Sequence, residues 1–405
     1  MSAATRAPRK EARATASPAA PAPAPPVDRV CIVTQALYPY ILGGAPIGAH
    51  ELANLLQRRG VGVEVHTVDY ARPPESAEQV EVLYGLVRHR FPRLPWDRIG
   101  TAGNPFAWRI RAAVRASPAP VVHLRSHLFF TSLFGLLGAR RAGKATVLSV
   151  HGVRAVRSRS VNLLQEVWLR TVSRFLFRRA DRIVCLTAAD RLEVLRYGAP
   201  PERTVTLFNS YNERLFHPGP AQAAQALWLG RHVEEKGIRY LLEAWALVEA
   251  QAPAAGLLLV GEGPLKAAME EKAARLGLRN VRFLPFTAQA EAAALLRACQ
   301  VFTLPSLKEG FPISLVEAMA CAKPVVTTAG LEEIVGDGGV TVPPRDPPAL
   351  AAALLRYLRD PRLAERTGQA AARRARGHYS LARLAEAYLG VYADALAERQ
   401  KPGRR

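Results

Sequence analysis

PSLKEGFPISLVEAMACAKPVVTT, residues 305–328, contains one complete repeat of a strand and helix pattern that recurs along the chain. The apolar run VFTLPS leads into it and predicts a buried strand, and the closing PVVTT predicts the next strand. Gly310 marks a loop between them, and Pro312 suits the first helical position. Lys323 and Pro324 are expected to end the helix. The order strand, loop, helix, strand is typical of a parallel α/β sheet.

Two carboxylates flank this predicted loop and helix. Glu309 lies in the loop, and Glu317 follows eight residues later on the helix. Such a loop lies at the carboxyl edge of an open sheet, where ligands bind, and the free N–H groups of a helix start attract anions. A ligand with a central phosphate and hydroxyl-rich groups on both sides fits this layout, because carboxylates accept hydrogen bonds from sugar hydroxyls. The spacing alone equally allows two unrelated surface carboxylates, so both interpretations stay open.

The composition indicates a soluble protein large enough for two domains with separate cores. The chain has 405 residues, of which 49% are hydrophobic and 7% aromatic. Its net charge of +21 is concentrated in the first half, where residues 1–220 carry 31 Lys/Arg against 15 Asp/Glu. A positive field of this size favours anionic surfaces or polyanions as partners.

The cysteines and the apolar runs of the sequence indicate the cellular compartment of the protein. The four cysteines have no regular spacing and are expected to be reduced core residues of a cytosolic protein. The longest apolar run, at 128–139, is shorter than the roughly 20 residues that a membrane-spanning helix needs. Residues 1–26 are rich in Ala and Pro and lack an apolar core, so a disordered tail is expected there rather than a signal peptide.

The first half alternates strands with helices, which predicts parallel α/β layers. The predicted strands are VCIVTQ (30–35), VGVEVHTV (61–68), VVHLRS (121–126), ATVLSV (145–150) and ADRIVCLT (180–187). Helices are expected at 47–60, 127–141 and 188–198, whereas the proline-rich region 92–120 has loop character. Gly43 and Gly44 fall where a nucleotide-binding loop would follow the first strand. Because no G-x-G-x-x-G is present, a tight turn without ligand remains the alternative.

Histidines occur near two strand ends of this half. His151, followed by Gly152, ends a predicted strand and therefore lies at the ligand edge of the sheet. The alternative is a loop histidine bonded only to backbone. His123 and His127 are four residues apart but have no carboxylate beside them, so no metal site is predicted there.

A basic segment follows at residues 154–182, with eight arginines, two acidic residues and interspersed aromatic side chains. A basic helix with an apolar face can lie on an anionic membrane surface, and this is the interpretation that the arginine density favours. The alternative is a solvated helix face whose apolar side belongs to the core.

The second half repeats the alternation more tightly after a Pro/Gly/Gln-rich stretch at 217–225, which is the best candidate for a domain boundary. The strand LWLGR ends at Gly230 and Arg231, and Lys236 follows in the same predicted loop. Both cations are placed to face one anion, Arg with a forked grip and Lys as a point charge. No Asp-x-Asp occurs in the sequence, so no carboxylate-held metal bridging a diphosphate is predicted.

Three motifs together resemble the retaining glycosyltransferases of family four: GRHVEEKG at 230–237, VGEGP at 260–264 and EGFPISLVEAMA at 309–320. The resemblance extends from about residue 30 to the end of the chain and includes YPYILGGAP at 38–46 and ADRIVCLT. It implies the GT-B fold, in which two Rossmann-like, doubly wound parallel-sheet domains face each other across a cleft. The implied parts are an acceptor-binding domain at 27–217, a nucleotide-sugar-binding domain at 218–378, and a C-terminal helix at 379–405 that packs back on the first domain.

The resemblance also implies roles for individual residues. Arg231 and Lys236 would neutralise the donor diphosphate, which is the leaving group. Glu309 would contact the sugar hydroxyls and His151 the sugar near the reaction centre, which makes these four residues the implied catalytic set. The implied donor-binding residues are Gly43, Gly44, Gly230, Gly310, Phe311, Pro312, Ile313, Ser314, Leu315 and Glu317, the last of these at the ribose. No metal and no other cofactor is implied.

The expected function is transfer of a hexosyl group from a UDP-, GDP- or ADP-sugar to an acceptor hydroxyl, with a lipid-linked or cell-envelope glycan as acceptor. The expected location is cytoplasmic, peripheral at the inner face of the membrane, with no specific nucleic acid as partner. The alternatives are an inactive GT-B scaffold or polyanion-binding protein, and a GT-B nucleotide-sugar epimerase. Pro312 stands where the family commonly has glycine, which removes one amide from the phosphate site.

Overall fold

The computed structural model describes residues 27–38, 40, 44–69, 82–90, 104–154, 159–220 and 224–401. The expected tail at 1–26 and Gly43 lie outside the described residues. Within the described residues the chain forms two parallel sheets covered by helices, of seven and six strands. The predicted pair of doubly wound parallel sheets is therefore confirmed.

The first sheet is built from strands whose side chains are mostly buried on both faces, as in other parallel sheets. Its strands are β1 (Arg29–Val33), β2 (Gly62–Val68), β3 (Gly85–His89), β4 (Val121–Arg125), β5 (Ala145–Val150), β6 (Arg182–Cys185) and β7 (Thr204–Thr206). The helices of this half are α1 (Gly44–Arg58), α2 (Ile110–Ala116), α3 (Phe130–Arg141), α4 (Arg159–Trp168), α5 (Arg174–Arg179) and α6 (Ala188–Arg196).

The second sheet comprises β8 (Gln225–Leu229), β9 (Gly256–Val260), β10 (Val281–Leu284), β11 (Val301–Leu304), β12 (Val325–Thr328) and β13 (Gly339–Val342). The helices of this half are α7 (Ile238–Gln251), α8 (Lys266–Arg275), α9 (Gln289–Ala298), α10 (Ile313–Ala320), α11 (Glu332–Val335), α12 (Pro347–Arg359), α13 (Pro361–His378) and α14 (Leu381–Gln400).

Strand order locates the ligand edges of the two sheets. The orders are β3-β2-β1-β4-β5-β6-β7 and β10-β9-β8-β11-β12-β13, and every neighbouring pair is parallel. The direction in which strands are added reverses between β1 and β4 and again between β8 and β11. Ligands bind in the crevice at such switch points, outside the carboxyl ends of the strands. The loops after β8 and β11, with Lys236 and Glu309, lie at one of them.

The chain passes between the two sheets twice. After β7 it leads into the second sheet, and at Ser380 it returns, so that Tyr211 and Ser380 form an isolated parallel bridge. The returning helix α14 packs on the first sheet and buries Leu384, Tyr388 and Tyr392 in the same core as the first strands. The last helix therefore completes the apolar core of the domain that the first strands began.

Several boundaries differ from the sequence-based expectation. The region expected to be loop, 92–120, contains α2; β3, just before it, was not predicted, since it is an edge strand with largely exposed side chains. Helix α3 begins at Phe130 rather than at His127, because Ser126 adopts a φ of 73° and His127 is buried. Helix α10 begins at Ile313 with Pro312 as its N-cap residue, and it ends at Ala320, before Lys323 and Pro324.

The described part of the basic segment is one helical run that contains a π-helical turn. This run consists of α4, the π-helical turn (Leu169–Ser173) and α5. Leu163, Leu164 and Val167 of α4 are 67%, 68% and 54% exposed. Across the described residues, no helix combines the length and the apolar character that crossing a membrane requires.

Candidate active site

The loop after β8, residues 230–237 and here called the Lys236 loop, packs directly on the loop after β11. A short 3₁₀ turn (Glu234–Lys236) ends at Gly237, whose φ is 66°. A Cβ atom at Gly237 would lie 1.9 Å from the carbonyl oxygen of Pro305. Only glycine fits this position, because both the left-handed backbone and the close approach exclude a side chain. The two loops that carry the predicted donor-site charges are thereby held against each other.

Lys236 and Glu309 form an ion pair at the junction of these loops. Nζ of Lys236 lies 2.5 Å from Oε1 of Glu309, and the hydroxyl of Ser306 donates to the same oxygen at 2.7 Å. The N–H of Leu307 donates to the carbonyl of Glu235 at 2.8 Å. The two side chains of the pair are only 21% and 11% exposed, so the pair is largely shielded from water. Arg231, in the same loop, is exposed.

The start of α10 offers fewer amides to an anion than the sequence predicts. Pro312 has no N–H, and the N–H of Leu315 already donates to the carbonyl of Pro312 at 3.2 Å. The amides of Ile313 and Ser314 remain at this helix start, since the first N–H groups of a helix have no intrahelical acceptor. The side chains of Ile313 and Ser314 are half-buried, and that of Leu315 is fully buried in the core.

Phe311, one of the implied donor-binding residues, has its side chain in the core. Its ring lies 5.5 Å from the ring of Tyr379 and 6.0 Å from that of Phe208, measured between centroids. Phe208 follows β7 and Tyr379 precedes α14, so this aromatic cluster joins the two points where the chain crosses between the sheets. Phe311 therefore ties the Glu309 loop, residues 305–312, to the crossing points.

The His151 turn, residues 150–153, faces the Glu309 loop from the other domain. Gly152 adopts a φ of 85°, and a Cβ atom at Gly310 would lie 3.7 Å from both the N and the Cα of Gly152. The structure thus brings together three of the predicted site regions: the His151 turn, the Glu309 loop and the Lys236 loop. Gly230 is the first residue of the Lys236 loop, and its N–H donates to the carbonyl of Val260. Gly44 is the first residue of α1.

His151 is oriented by a chain of buried hydrogen bonds that the sequence did not reveal. Nε2 of His151 lies 3.0 Å from the hydroxyl of Ser149, which lies 3.0 Å from Nε2 of His123. Nδ1 of His123 lies 2.9 Å from the hydroxyl of Tyr392 on α14. Burial lowers the pKa of His151 and His123 well below the usual value, with Arg125 as the next cause, so both rings are neutral at physiological pH. We call His151, Ser149, His123 and Tyr392 together the relay.

Glu317 and Glu51 bring two carboxylates of opposite domains near each other. Glu317 lies on α10 and Glu51 on α1. Burial, with the Glu51 carboxylate as the second cause, raises the pKa of Glu317 to about 8. Burial also raises the pKa of Glu51, whose Oε1 accepts a 3.4 Å hydrogen bond from Asn212. Glu317 therefore carries its proton at neutral pH and can donate a hydrogen bond as well as accept one.

Arg125, which the sequence analysis did not select, is a buried cation at the carboxyl end of β4. It is 5% exposed, and its Nη2 donates to the carbonyl of Ala45, at the start of α1, at 3.4 Å. Among the described residues, no carboxylate forms an ion pair with it. The sequence does contain a signal for Arg125, because this residue lies in VVHLRS, a predicted buried strand. Buried arginines normally have an anionic partner, so an arginine there indicates a binding site.

Family models match both halves of the chain. The model described as Glycosyltransferase Family 4 matches residues 42–214, and the model described as Glycosyl transferases group 1 matches residues 223–360. A D-inositol 3-phosphate glycosyltransferase of Kineococcus radiotolerans is 30% identical over 406 residues, covering 88% of this chain and 92% of its own. An alpha-D-kanosaminyltransferase of Streptomyces kanamyceticus is 26% identical, covering 83% of this chain and 96% of its own.

Solved structures share the fold at lower identity. Sucrose-phosphate synthase from Thermosynechococcus elongatus superposes with a TM-score of 0.76 at 22% identity, covering 91% of this chain and 99% of its own. HepE from Anabaena, in complex with UDP and glucose, superposes with a TM-score of 0.73 at 20% identity, covering 90% and 98%. The two family models and the relative at 30% identity show that this chain belongs to glycosyltransferase family 4 and is a glycosyltransferase with the GT-B fold.

Proposed function

We propose that this glycosyltransferase transfers a hexosyl group, with retention of anomeric configuration, from a nucleotide-sugar on the second domain to an acceptor hydroxyl on the first. The observation that carries the proposal is the contact across the cleft: the backbone of Gly152, next to His151, lies against Gly310, next to the Lys236–Glu309 pair. A sugar held by Glu309 beside this contact would have its anomeric carbon within reach of both domains.

The proposed donor site matches the parts of a nucleoside diphosphate sugar. Lys236 and Arg231 supply positive charge for the diphosphate, and the amides of Ile313 and Ser314 add donors at a helix start. Their contribution is largest as the leaving diphosphate gains charge in the transition state. Glu317 would bind the ribose hydroxyls. The complexes of HepE with UDP and with UDP-glucose favour a UDP-sugar among the possible donors.

The environment of Glu309 supports a same-face reaction rather than attack by an enzyme nucleophile. Its Oε1 is held by the Lys236 ammonium at 2.5 Å and by the Ser306 hydroxyl at 2.7 Å. A carboxylate oxygen with two such donors is a weak nucleophile, because its charge is already stabilised. We infer that an oxygen of the leaving phosphate takes the proton of the acceptor hydroxyl on the same face of the sugar.

For the acceptor we propose a compound with an anionic group, such as a lipid-linked or cell-envelope glycan precursor. Among the described residues, the buried guanidinium of Arg125 has no carboxylate partner, and a phosphate on the acceptor would provide an anionic one. The D-inositol 3-phosphate glycosyltransferases among the relatives are named for an acceptor that carries a phosphate. An acceptor in the membrane would fit a peripheral location of the enzyme.

The donor site is tested by a screen of radiolabelled UDP-, GDP- and ADP-sugars for slow hydrolysis and for transfer, with product NMR to read the anomeric configuration. Lys236→Ala should lower the rate with the preferred donor by at least a hundredfold, because a charge that stabilises the leaving group is lost. EDTA added at the start of the assay should leave the initial rate unchanged, since Arg231 and Lys236 supply the required charge.

Lys272→Ala is the matched control for Lys236→Ala. Lys272 also forms a 2.5 Å pair, with Glu243, and is 20% exposed, but it lies on α8 and not in the loops of the site. Equal rates for the Lys236 and Lys272 variants would contradict the proposed site. An inverted or epimerised product would contradict the proposed reaction while leaving the donor site intact.

A further inference from the structure

A polar cluster lies beneath the first sheet, apart from the donor and acceptor residues. Glu64 and His66 are two residues apart on β2, so their side chains share one face of the sheet, and Cys31 of β1 is the register partner of Glu64. Cys31 belongs to the core that includes Ile110 of α2. Carboxylate and imidazole groups on the buried face of an internal strand are unusual and need a physical reason.

The three side chains converge on one point. Sγ of Cys31, a carboxylate oxygen of Glu64 and Nε2 of His66 all lie within 4.8 Å of one another. Cys31 is fully buried and His66 is 1% exposed. Nε2 of His66 lies 2.7 Å from Oε1 of Glu64 but without hydrogen-bond geometry, and it has no other partner among the described residues. Within the described residues, the Glu64 carboxylate is thus the polar group that this buried ring nitrogen faces.

Neighbouring groups hold two of these side chains in place. Nδ1 of His66 lies 2.8 Å from Nε2 of His89, which leaves Nε2 of His66 as the nitrogen that faces the cluster. The hydroxyl of Ser117 donates to Oε2 of Glu64 at 2.8 Å, which leaves Oε1 facing the cluster. Hydrogen bonds of this kind, to the atoms that do not bind the ion, are typical of histidine and carboxylate metal ligands.

We propose that Cys31, Glu64 and His66 bind a zinc ion in the first domain. Thiolate, imidazole and carboxylate are the ligands that Zn²⁺ takes in proteins, at about 2.0–2.3 Å. Ligand atoms at those distances on a tetrahedral ion lie about 3.3–3.5 Å apart. Separations of up to 4.8 Å in the cluster must therefore shorten, and the 2.7 Å between Nε2 of His66 and Oε1 of Glu64 must lengthen slightly, when the ion binds. The thiol proton is released to solvent when the ion binds.

Charge and access are compatible with this site. A thiolate and a carboxylate together neutralise a divalent cation, so the bound cluster adds no net charge. Lys144, the nearby cation, is already hydrogen-bonded to the carbonyl of Ser117. The side chain of Glu64 is 30% exposed, which provides an entry path and room for water as a fourth ligand. The ion would fasten β1 to β2 and, through Ser117, to the end of α2.

The test counts metal in the full-length protein, purified without a polyhistidine tag, incubated with Zn²⁺ and freed of excess ion by gel filtration. Elemental analysis should find close to one zinc per chain in the wild type. Cys31→Ser and Glu64→Gln should each lower the affinity at least tenfold, the usual effect of losing a ligand or its support. Cys185→Ser, a change at another fully buried cysteine, should retain the zinc.

A second readout identifies the ligand directly. Co²⁺ bound through a thiolate has a sulfur-to-cobalt charge-transfer band in the near ultraviolet, which should appear in the wild type and in Cys185→Ser and be absent from Cys31→Ser. Circular dichroism establishes that each variant is folded, and Glu64→Gln serves where Cys31→Ser does not fold. A wild-type protein without bound zinc, or equal zinc in the wild type and both ligand variants, would overturn the proposal.

Discussion

Glu317 shows at the level of one residue how the cleft changes a side chain's chemistry. Its pKa is raised to about 8, first by burial and then by Glu51. An unfolded glutamate has a pKa of about 4.3, so between these two values the folded protein binds a proton that the unfolded chain releases. Stability contributed by this group is therefore lost as the pH rises through that window.

Glu317→Gln should accordingly abolish the loss of folding stability that the ionisation of Glu317 causes at high pH. We expect the variant to melt at a higher temperature than the wild type at pH 9 and at a similar temperature at pH 5, as measured by thermal denaturation at both pH values. Glu270→Gln, at an exposed position of α8, is the control and should change neither melting temperature. A pH-independent difference between Glu317→Gln and the wild type would contradict the raised pKa.

At the scale of elements, α14 contacts the candidate active site although it carries none of the predicted site residues. The hydroxyl of Tyr392 is the outer end of the relay to His151, through His123 and Ser149. A neutral imidazole has one donor and one acceptor nitrogen, so the tyrosine hydroxyl helps to set which nitrogen of His123 faces Ser149. The position of the His151 ring therefore depends on how the last helix docks.

Tyr392→Phe should lower kcat a few-fold to about tenfold, which is the rate effect that corresponds to the free energy of one buried hydrogen bond. The KM for the donor should change little. Steady-state kinetics over a range of pH values measures kcat and KM. Ser149→Ala should change the pH dependence of kcat in a similar way. Tyr357→Phe is the control, because it removes a buried hydroxyl on α12 outside the relay. Normal kcat in Tyr392→Phe, with the fold intact, would show that His151 needs no such support.

Helix α4 presents an apolar face to solvent beside a basic segment. Leu163 and Leu164 are 67% and 68% exposed. Arg170 and Arg174 follow within about three turns, in the arrangement that binds anionic lipid surfaces. This helix is the part of the described chain that best supports the proposed membrane location.

The double substitution Leu163→Ser and Leu164→Ser should reduce sedimentation with vesicles of anionic phospholipid at least fivefold, because two buried leucines contribute about 3 kcal/mol or more to such binding. Leu192→Ser changes a leucine of α6 that is 59% exposed and should bind vesicles as the wild type does. Wild-type binding that is equal on neutral and anionic vesicles would contradict the electrostatic part of the proposal.

At the scale of the molecule, the first domain is completed by the last helix. Leu384, Tyr388, Val391, Tyr392 and Ala395 of α14 share one core with residues of β1, β2 and α1. Burial of each large apolar side chain contributes about 1.5–3 kcal/mol, whereas a whole domain is stable by only about 5–15 kcal/mol. The first domain therefore depends on a segment that is separated from it in sequence by the entire second domain.

A chain terminated after Ser380 should consequently lose the cooperative unfolding of the first domain while the second domain still unfolds as a unit. Differential scanning calorimetry should show one transition of reduced enthalpy, whereas a chain terminated after Lys401 should keep the full enthalpy. Two intact transitions in the shorter chain would contradict the shared core.

The sequence alone determined the features that depend on local pattern. Alternating apolar runs and helical periods identified most strands of the first sheet and the strands β8, β11 and β12 of the second. Glycines such as Gly60 and Gly198 marked helix ends at positive φ, and Gly230, Lys236 and Glu309 fell in the loops that follow β8 and β11. All four cysteines are buried and unpaired, as predicted. These features are readable because neighbours in sequence set them.

Only the tertiary structure decided the rest. It placed the Phe311 ring in the core between the two crossing points, set Glu51 near Glu317, and joined His123 to Tyr392, which is 269 residues away. It also gathered Cys31, Glu64 and His66 from two strands. Such contacts are invisible in a local pattern, because they depend on strand register, on helix docking and on how two domains meet across a cleft.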